Sequence, residues 1–253
     1  MRIDKPTKDA IPALRALWKE AFLDPDAFIE LFFRTAFSPD RCRCITEGEE
    51  ILAALYFFDA EADGRRIAYL YAIATRKAHR GKGLCRMLME DTHRYLSTEG
   101  YAGALLVPRS TSLFAFYEKM GYKTATFLDS IEASASESKI SLKRVGRDEY
   151  AAARRRLLPP RGVIQEGESL AFLETMAELY IADGVALAAR EEPEGLYGIE
   201  LLGDRALAPD ILFTLGYAKG SFRTSGDTVP FSMYLPLTVE EHAPPSHFGF
   251  AFD

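Results

Sequence analysis

One stretch constrains this chain more than any other. The strand-like run IAYLYAIAT, residues 67–75, ends in the basic turn RKAHRGKG, with glycines at positions 81 and 83. The chain then passes directly into an apolar-periodic helix over residues 83–97, where Leu84, Met87, Leu88 and Tyr95 fall near one face. Gly100 ends that helix, and the buried-type strand AGALLV, 102–107, follows and stops at Pro108. Strand, turn, helix and strand in close succession require an α/β fold. The turn itself admits two readings. Gly81 and Gly83 let a strand become a helix with solvated charges around them. Alternatively, the turn presents bare backbone N–H groups at a positive helix end, with Arg80 and Lys82 adding charge, an arrangement suited to a pyrophosphate. Neither G-x-G-x-x-G nor G-x-x-x-x-G-K-[ST] occurs here, so the turn is neither a Rossmann fingerprint nor a Walker A loop.

The flanking sequence extends the pattern. DAIPALRALWKEAFLD spaces Ile11, Leu14, Leu17 and Trp18 as a helix, and Asp24-Pro25 breaks it. DPDAFIELFFRTAF is a second helix. RCRCITEGEE and ILAALYFFDAEADGRR are strands turning near Gly48 and Asp63-Gly64. STSLFAFYEKMG is a short helix, and YKTATFLDSIEA returns as a strand. The first 130 or so residues thus read ααβββαβαβ. The polar segment EASASESK, 132–139, reads as a linker or exposed hairpin. Beyond it the order partly restarts: ISLKRV as strand, RDEYAAARRRLL and ESLAFLETMAELYI as helices, GVALAAR and GLYGIELLG as strands, LAPDILFTLG as a helix, and VPFSMYLPL and HFGFAFD as final strands. The second half looks like a worn version of the first without the basic turn. ELLGDRALAPD stands in its place, with Asp204 and Asp210 where a phosphate would want cations.

Composition narrows the function classes. A formal net charge of −6 argues against a general nucleic-acid binder. No apolar run approaches the roughly 20 residues a membrane helix needs, and MRIDKPTKDA has no signal-peptide core, so cytoplasmic location is the default expectation. Cys42, Cys44 and Cys85 form neither a disulfide framework nor a metal pattern, and the four histidines lack metal spacing. No metal is expected. Cys85 sits in the first turn of the glycine-turn helix, a place that can lower a thiol pKa, although simple packing is the plainer reading.

The strand YLYAIAT, then RGKGL opening a helix, then GALLVP, then LFAFYEKMGY resembles the GNAT superfamily of N-acetyltransferases. That family's turn is Q/R-x-x-G-x-G/A. Here it is AHRGKG, with Ala78 in the usual Gln/Arg position. The family's YEK-x-G-F/Y helix tail is matched by YEKMGY. The resemblance covers about residues 1–130. It implies a mixed sheet flanked by helices over 1–133, followed by a degenerate GNAT-like domain over 140–253, as in some two-domain members. It implies acetyl-CoA as acetyl donor and a small-molecule amine as acceptor. The main chain at Ile73, Ala74 and Thr75 would pair with the pantetheine arm. N–H groups of Arg80, Gly81, Lys82, Gly83 and Leu84 would hold the pyrophosphate. Ser110 and Phe114 would lie near the cofactor, Phe114 reading equally as core. Tyr117 would be the acid that protonates the departing thiolate.

The base is open. Ile67, Tyr69 and Tyr71 on the strand before the turn offer no base near neutral pH. Asp59, Glu61 and Asp63, a water relay, a carboxylate from the second half, and Asp253 or the chain terminus are the candidates. Trp18, Phe22, Phe28, Phe32, Tyr69 and Tyr71 would line an acceptor pocket or simply pack in the core. Two rival readings stand beside the enzyme: a non-catalytic acyl-CoA sensor, and a structural protein in which RGKG is only a turn. The oligomeric state cannot be read.

Overall fold

The computed structural model describes residues 1–252. The first half contributes β1 (Arg2–Asp4), helices α1 (Ile11–Phe22) and α2 (Asp26–Thr35), then strands β2 (Cys42–Glu47), β3 (Glu50–Ala62) and β4 (Arg65–Thr75). Helix α3 (Leu84–Thr98), strand β5 (Gly103–Leu106), helix α4 (Thr111–Glu118) and strand β6 (Lys123–Ser134) complete it. The second half contributes β7 (Lys143–Arg144), α5 (Arg147–Leu157), α6 (Glu168–Leu173), β8 (Glu178–Ala182), β9 (Val185–Glu192), β10 (Gly195–Gly203), α7 (Ala208–Leu215), β11 (Lys219–Ser225) and β12 (Val229–Pro236).

All twelve strands join one mixed sheet in the order β1-β2-β3-β4-β5-β12-β6-β11-β10-β9-β8-β7. This order reads the same from both ends if the halves are exchanged. Each half builds an antiparallel meander, then a neighbour parallel to its last strand: β4 with β5, β10 with β11. Each half then gives its final strand to the other. β12 lies against β5, β6 lies against β11, and β6 and β12 pair with each other at the centre. The two halves therefore share one strand topology, although no residue-level repeat accompanies it.

The helices cover both faces. On one, Leu14, Leu17, Trp18, Ile29 and Phe32 of α1 and α2 share a core with Tyr150 of α5, Phe172 of α6 and the C-terminal Phe248, Phe250 and Phe252. On the other, Leu84, Leu88 and Leu96 of α3 and Tyr117 of α4 pack on β3 to β5, while Ile211 and Leu212 of α7 pack on β9 to β11. Burial of one apolar stripe per helix is what fixes these positions. Cys42 and Cys44 are both buried on the same face, as residues two apart in a strand must be.

Several segments differ from the sequence expectation. ESLAFLETMAELYI is not one helix. α6 ends at Leu173 in tight turns, and Glu178–Ala182 becomes β8, because Leu179 finds a buried place opposite Ala188 of β9. ISLKRV yields only the two-residue β7. HFGFAFD forms no strand over its described residues. It makes a single bridge, Gly162 with His247, and is held instead by side chains. β1 and β11 carry too weak an alternation to be read. In β11 only Phe222 is a large buried side chain.

Candidate active site

β4 and β5 run parallel only from Ile67–Gly103 to Tyr69–Leu105. Beyond that point β4 continues to Thr75 while β5 ends at Leu106, with Pro108 unable to donate to a ladder. The strands splay, and no strand pairs with that edge of β4 past Tyr69. A bulge sharpens the splay. Ala72 and Ile73 together stand opposite Leu55 of β3, and Ala72 adopts a left-handed φ of 46°. The second half has no such opening, because β10 and β11 remain paired to Leu201–Thr224.

The basic turn sits at the open end of β4. Gly81 and Gly83 have φ of 75° and 79°, the left-handed region that glycine enters without steric cost, and a Cβ at either would meet nothing within 4 Å. Glycine is thus required here by backbone conformation, and the space before the turn is open. Among the described residues, the N–H groups of Gly81, Lys82 and Gly83 find no partner, and Leu84 opens α3, whose first N–H groups have none by geometry. The N–H of Arg80 donates to the Lys77 carbonyl at 3.3 Å, and its guanidinium Nε folds back onto the Thr75 carbonyl at 3.1 Å.

Below the turn lies a cavity of about 500 Å³. Ile73, Leu106, Val107, Leu113 and Tyr117 form its side next to the splay. Trp18, Phe22, Phe28, Tyr69 and Tyr71 form the opposite wall, and Leu173, Met176, Ile199 and Phe231 from the second half close it. Ala251 and Phe252 complete the lining. Phe32 is not in the wall; it is core beneath Trp18, with ring centroids 4.7 Å apart.

Tyr117 is 7% exposed, and burial raises its phenol well above the ordinary value, so it keeps its proton at neutral pH. Its hydroxyl has no hydrogen-bond partner among the described residues. Ser110 lies outside the cavity at the start of α4, its hydroxyl 3.0 Å from that of Ser112. Phe114 packs, half-buried, against the α3 side of the core and is not in the wall either. Cys85 is no thiolate: burial pushes its thiol up to about 11, overriding the helix N-terminus.

The strand carboxylates are likewise not at the cavity. Asp59 is bound by the Arg66 guanidinium at 2.7 and 3.0 Å, Glu61 is exposed beside the backbone bridge to Ile164, and Asp63 occupies the β3–β4 turn. Asp253 lies outside the described residues. Among the described residues, the one carboxylate in the cavity lining is that of Asp24, which follows the left-handed Leu23 cap of α1 and accepts the Trp18 indole N–H at 2.7 Å. Sequence reasoning missed it because a polar residue between two helices looks like a loop.

The wall that includes Ala251 and Phe252 is held by a buried polar network. Glu200 is 1% exposed and Arg154 is 2% exposed; their side chains meet at 2.6 and 2.9 Å. Tyr150 donates to Glu200 at 3.2 Å, and His247 Nε2 approaches it at 3.1 Å. Burial alone would raise the Glu200 carboxyl, but Arg154 and His247 outweigh it and hold it at about 2. A Cβ at Gly249 would strike Glu200 Oε1 at 1.4 Å, so the segment passes directly over the ion pair. Gln165 then clamps Phe250 through both its N–H and its carbonyl. Nothing in the sequence pointed to this network, since its members are spread from Tyr150 to His247.

No group of three or more His, Cys, Asp or Glu side chains among the described residues is placed to hold a metal ion. No helix among them is long and apolar enough to cross a membrane.

Comparison with known proteins gives a consistent result. The family model for the acetyltransferase (GNAT) domain matches residues 2–125. No curated protein matches the chain. Among solved structures, a GCN5-related N-acetyltransferase from Anabaena variabilis is 13% identical, with TM-score 0.75, covering 94% of this chain and 73% of that one. A GCN5-related N-acetyltransferase from Kribbella flavida is 14% identical, with TM-score 0.69, over 92% of this chain and 70% of that one. A Pyrococcus horikoshii structure is 15% identical, with TM-score 0.60, over 99% of this chain and 94% of that one. At these identities the likeness is one of fold, and it extends over both halves.

Proposed function

We propose, from the premise that residues 2–125 of this chain belong to the GNAT acetyltransferase family, that the protein moves an acetyl group from acetyl-CoA to an amine by direct attack in a ternary complex. The observation that carries this reading is the coincidence of the β4–β5 splay with the open, glycine-built turn at its end. An extended pantetheine arm adds to the unpaired edge of β4 at Ile73, Ala74 and Thr75 as a strand would. The N–H groups of Gly81, Lys82, Gly83 and Leu84 take the pyrophosphate at the positive end of α3. The Arg80 N–H contributes least, being already bonded within the turn.

In the transfer, the amine nitrogen attacks the thioester carbonyl carbon, the C–S bond breaks, and an amide and CoA thiol form. A main-chain N–H of β4 stabilises the oxygen that gains charge. Tyr117, protonated and without a partner, supplies a proton to the departing sulfur. The acceptor's ammonium loses its proton to water in the cavity. Asp59, Glu61 and Asp63 take no part, since none of them lines the cavity.

Calorimetric titration of acetyl-CoA and desulfo-CoA into the wild type and into a Gly81→Asp, Gly83→Asp double variant tests the reading, with circular dichroism as a fold control. Micromolar binding that is lost in a folded double variant supports it. A wild type that binds neither compound leaves the turn a turn, and the acetyltransferase reading falls.

A further inference from the structure

The acceptor wall has a chemical character that narrows the amine. Its surface is aromatic and aliphatic, built by Trp18, Phe22 and Phe28 from the helices, Tyr71 from β4 and Phe252 from the C-terminal segment. Among the described residues, three with charged side chains belong to the lining: Asp24, Arg109 and Arg190. Arg109 is exposed just past β5, on the cofactor side. Arg190 is already neutralised, with two guanidinium nitrogens on Glu192 Oε1 at 3.0 and 2.8 Å and its plane over Tyr197. Asp24 is different. Its partner is the uncharged indole N–H of Trp18, and it makes no ion pair among the described residues. Lys19 reaches only its backbone carbonyl and gives its charge to Asp26. Among the described residues, the acceptor side of the cavity therefore holds one carboxylate without an ion pair, in an apolar, arene-rich surround.

Resting on the acetyltransferase reading, we propose that the acceptor is an arylalkyl or alkyl monoamine. Its ammonium is anchored by the Asp24 carboxylate and its apolar body lies against Trp18, Phe28, Tyr71 and Phe252. A polycation would bring charges that the described lining residues do not meet, and burying an unpaired charge is costly. A single ammonium finds a carboxylate and ring faces, both of which attract cations. In the reaction the bound ammonium releases one proton to solvent, its nitrogen forms the amide bond to the acetyl carbon, and the sulfur leaves as CoA thiol, so charge and atoms balance.

Trp18 is the chain's one tryptophan, and it reports on the wall directly. Its emission would be followed while 2-phenylethylamine, tyramine, hexylamine, spermidine and an aminoglycoside are titrated in, with and without acetyl-CoA. CoA release would be measured for the same amines. Saturable emission changes and a kcat/KM at least about tenfold above spermidine for the monoamines are expected. Asp24→Asn keeps the acceptor atom for the indole but removes the charge. It should raise KM for 2-phenylethylamine by about tenfold, the loss of one charged hydrogen bond, with acetyl-CoA affinity unchanged. Preference for spermidine or the aminoglycoside overturns the proposal, as does a monoamine panel that neither shifts emission nor releases CoA, or an unchanged KM in Asp24→Asn. Saturable emission by monoamines with no acetyl-CoA binding would instead overturn the transfer reading and leave the ligand class of the cavity supported.

Discussion

The Tyr71 hydroxyl donates to the Phe252 carbonyl at 2.8 Å, joining the strand that leads into the glycine turn to a residue 181 positions later. The rings of the two residues also meet, 5.8 Å apart at 80°. This wall of the cavity is thus built by two residues far apart in sequence. Removing the hydroxyl in Tyr71→Phe should lower stability by about 1 kcal/mol, the net worth of one hydrogen bond. For a chain of this size that is a fall of roughly 2–4 °C in Tm. Because the lost bond holds the wall and not the turn, the affinity for acetyl-CoA should stay put while KM for the acceptor rises. Calorimetric Tm and a KM comparison for both substrates check this, and a weakened acetyl-CoA affinity would count against it.

Tyr117 presents the opposite case. Its hydroxyl touches no protein partner, so it contributes little to folding. Tyr117→Phe should therefore melt within about 1 °C of the wild type while kcat falls about 100-fold or more, the usual scale for losing a positioned acid. KM for acetyl-CoA should be little changed. Stopped acetyl transfer with intact cofactor binding is the signature to look for. Full activity in the phenylalanine variant would remove the tyrosine from the mechanism.

His93 gives the fold a pH dependence of known sign. It lies on α3 with Nε2 at 2.7 Å from the Tyr122 hydroxyl, and burial pushes it down to about 4 from the ordinary 6.5. Between those values the unfolded chain binds the proton and the folded chain does not, so stability rises with pH across that window. Acidification from pH 6.5 to 4 should cost on the order of 2 kcal/mol through this group, after allowance for its partial exposure. Glu200, held at about 2, contributes in the same direction further down: its stabilisation is present above about 4.5 and is lost as pH falls towards 2. His93→Gln should flatten the upper part of the acid limb and leave the lower part. Urea midpoints measured at half-unit pH steps separate the two windows.

What was legible in the sequence follows from how local each signal is. Leu14, Leu17 and Trp18 show α1 because helical period is written within a few residues. Gly81 and Gly83 show the turn because no other residue adopts their φ without strain. The glycine turn and the strand before it are therefore readable from adjacent residues. The far wall of the cavity is not. Asp24 meets Trp18 through a helix cap, and Phe252 meets Tyr71 only after the whole chain has folded. Glu200 sits in an apolar strand run, where a lone carboxylate gives no sign that Arg154 and His247 await it. Strand exchange is less legible still, since β6 and β12 read as ordinary strands whichever half they join.

That exchange sets the last expectation. β12 covers the free edge of β5 from Met233–Leu106 to Pro236–Gly103, and Met233 is fully buried there. A fragment of residues 1–133 keeps the glycine turn and Tyr117 but lacks β12. It also loses Phe172, Phe248 and Phe252, which share a core with α1 and α2. Its β5 edge and its aromatic face would both be bare, and bare edges recruit other chains. We expect this fragment to self-associate when expressed alone, and to become monodisperse when co-expressed with residues 134–253, which bring β12. Size-exclusion chromatography with light scattering decides the matter. A monomeric, folded 1–133 fragment that binds acetyl-CoA would show that β6 can take the place of β12 beside β5, and that the exchange is a feature of assembly and not a condition of folding.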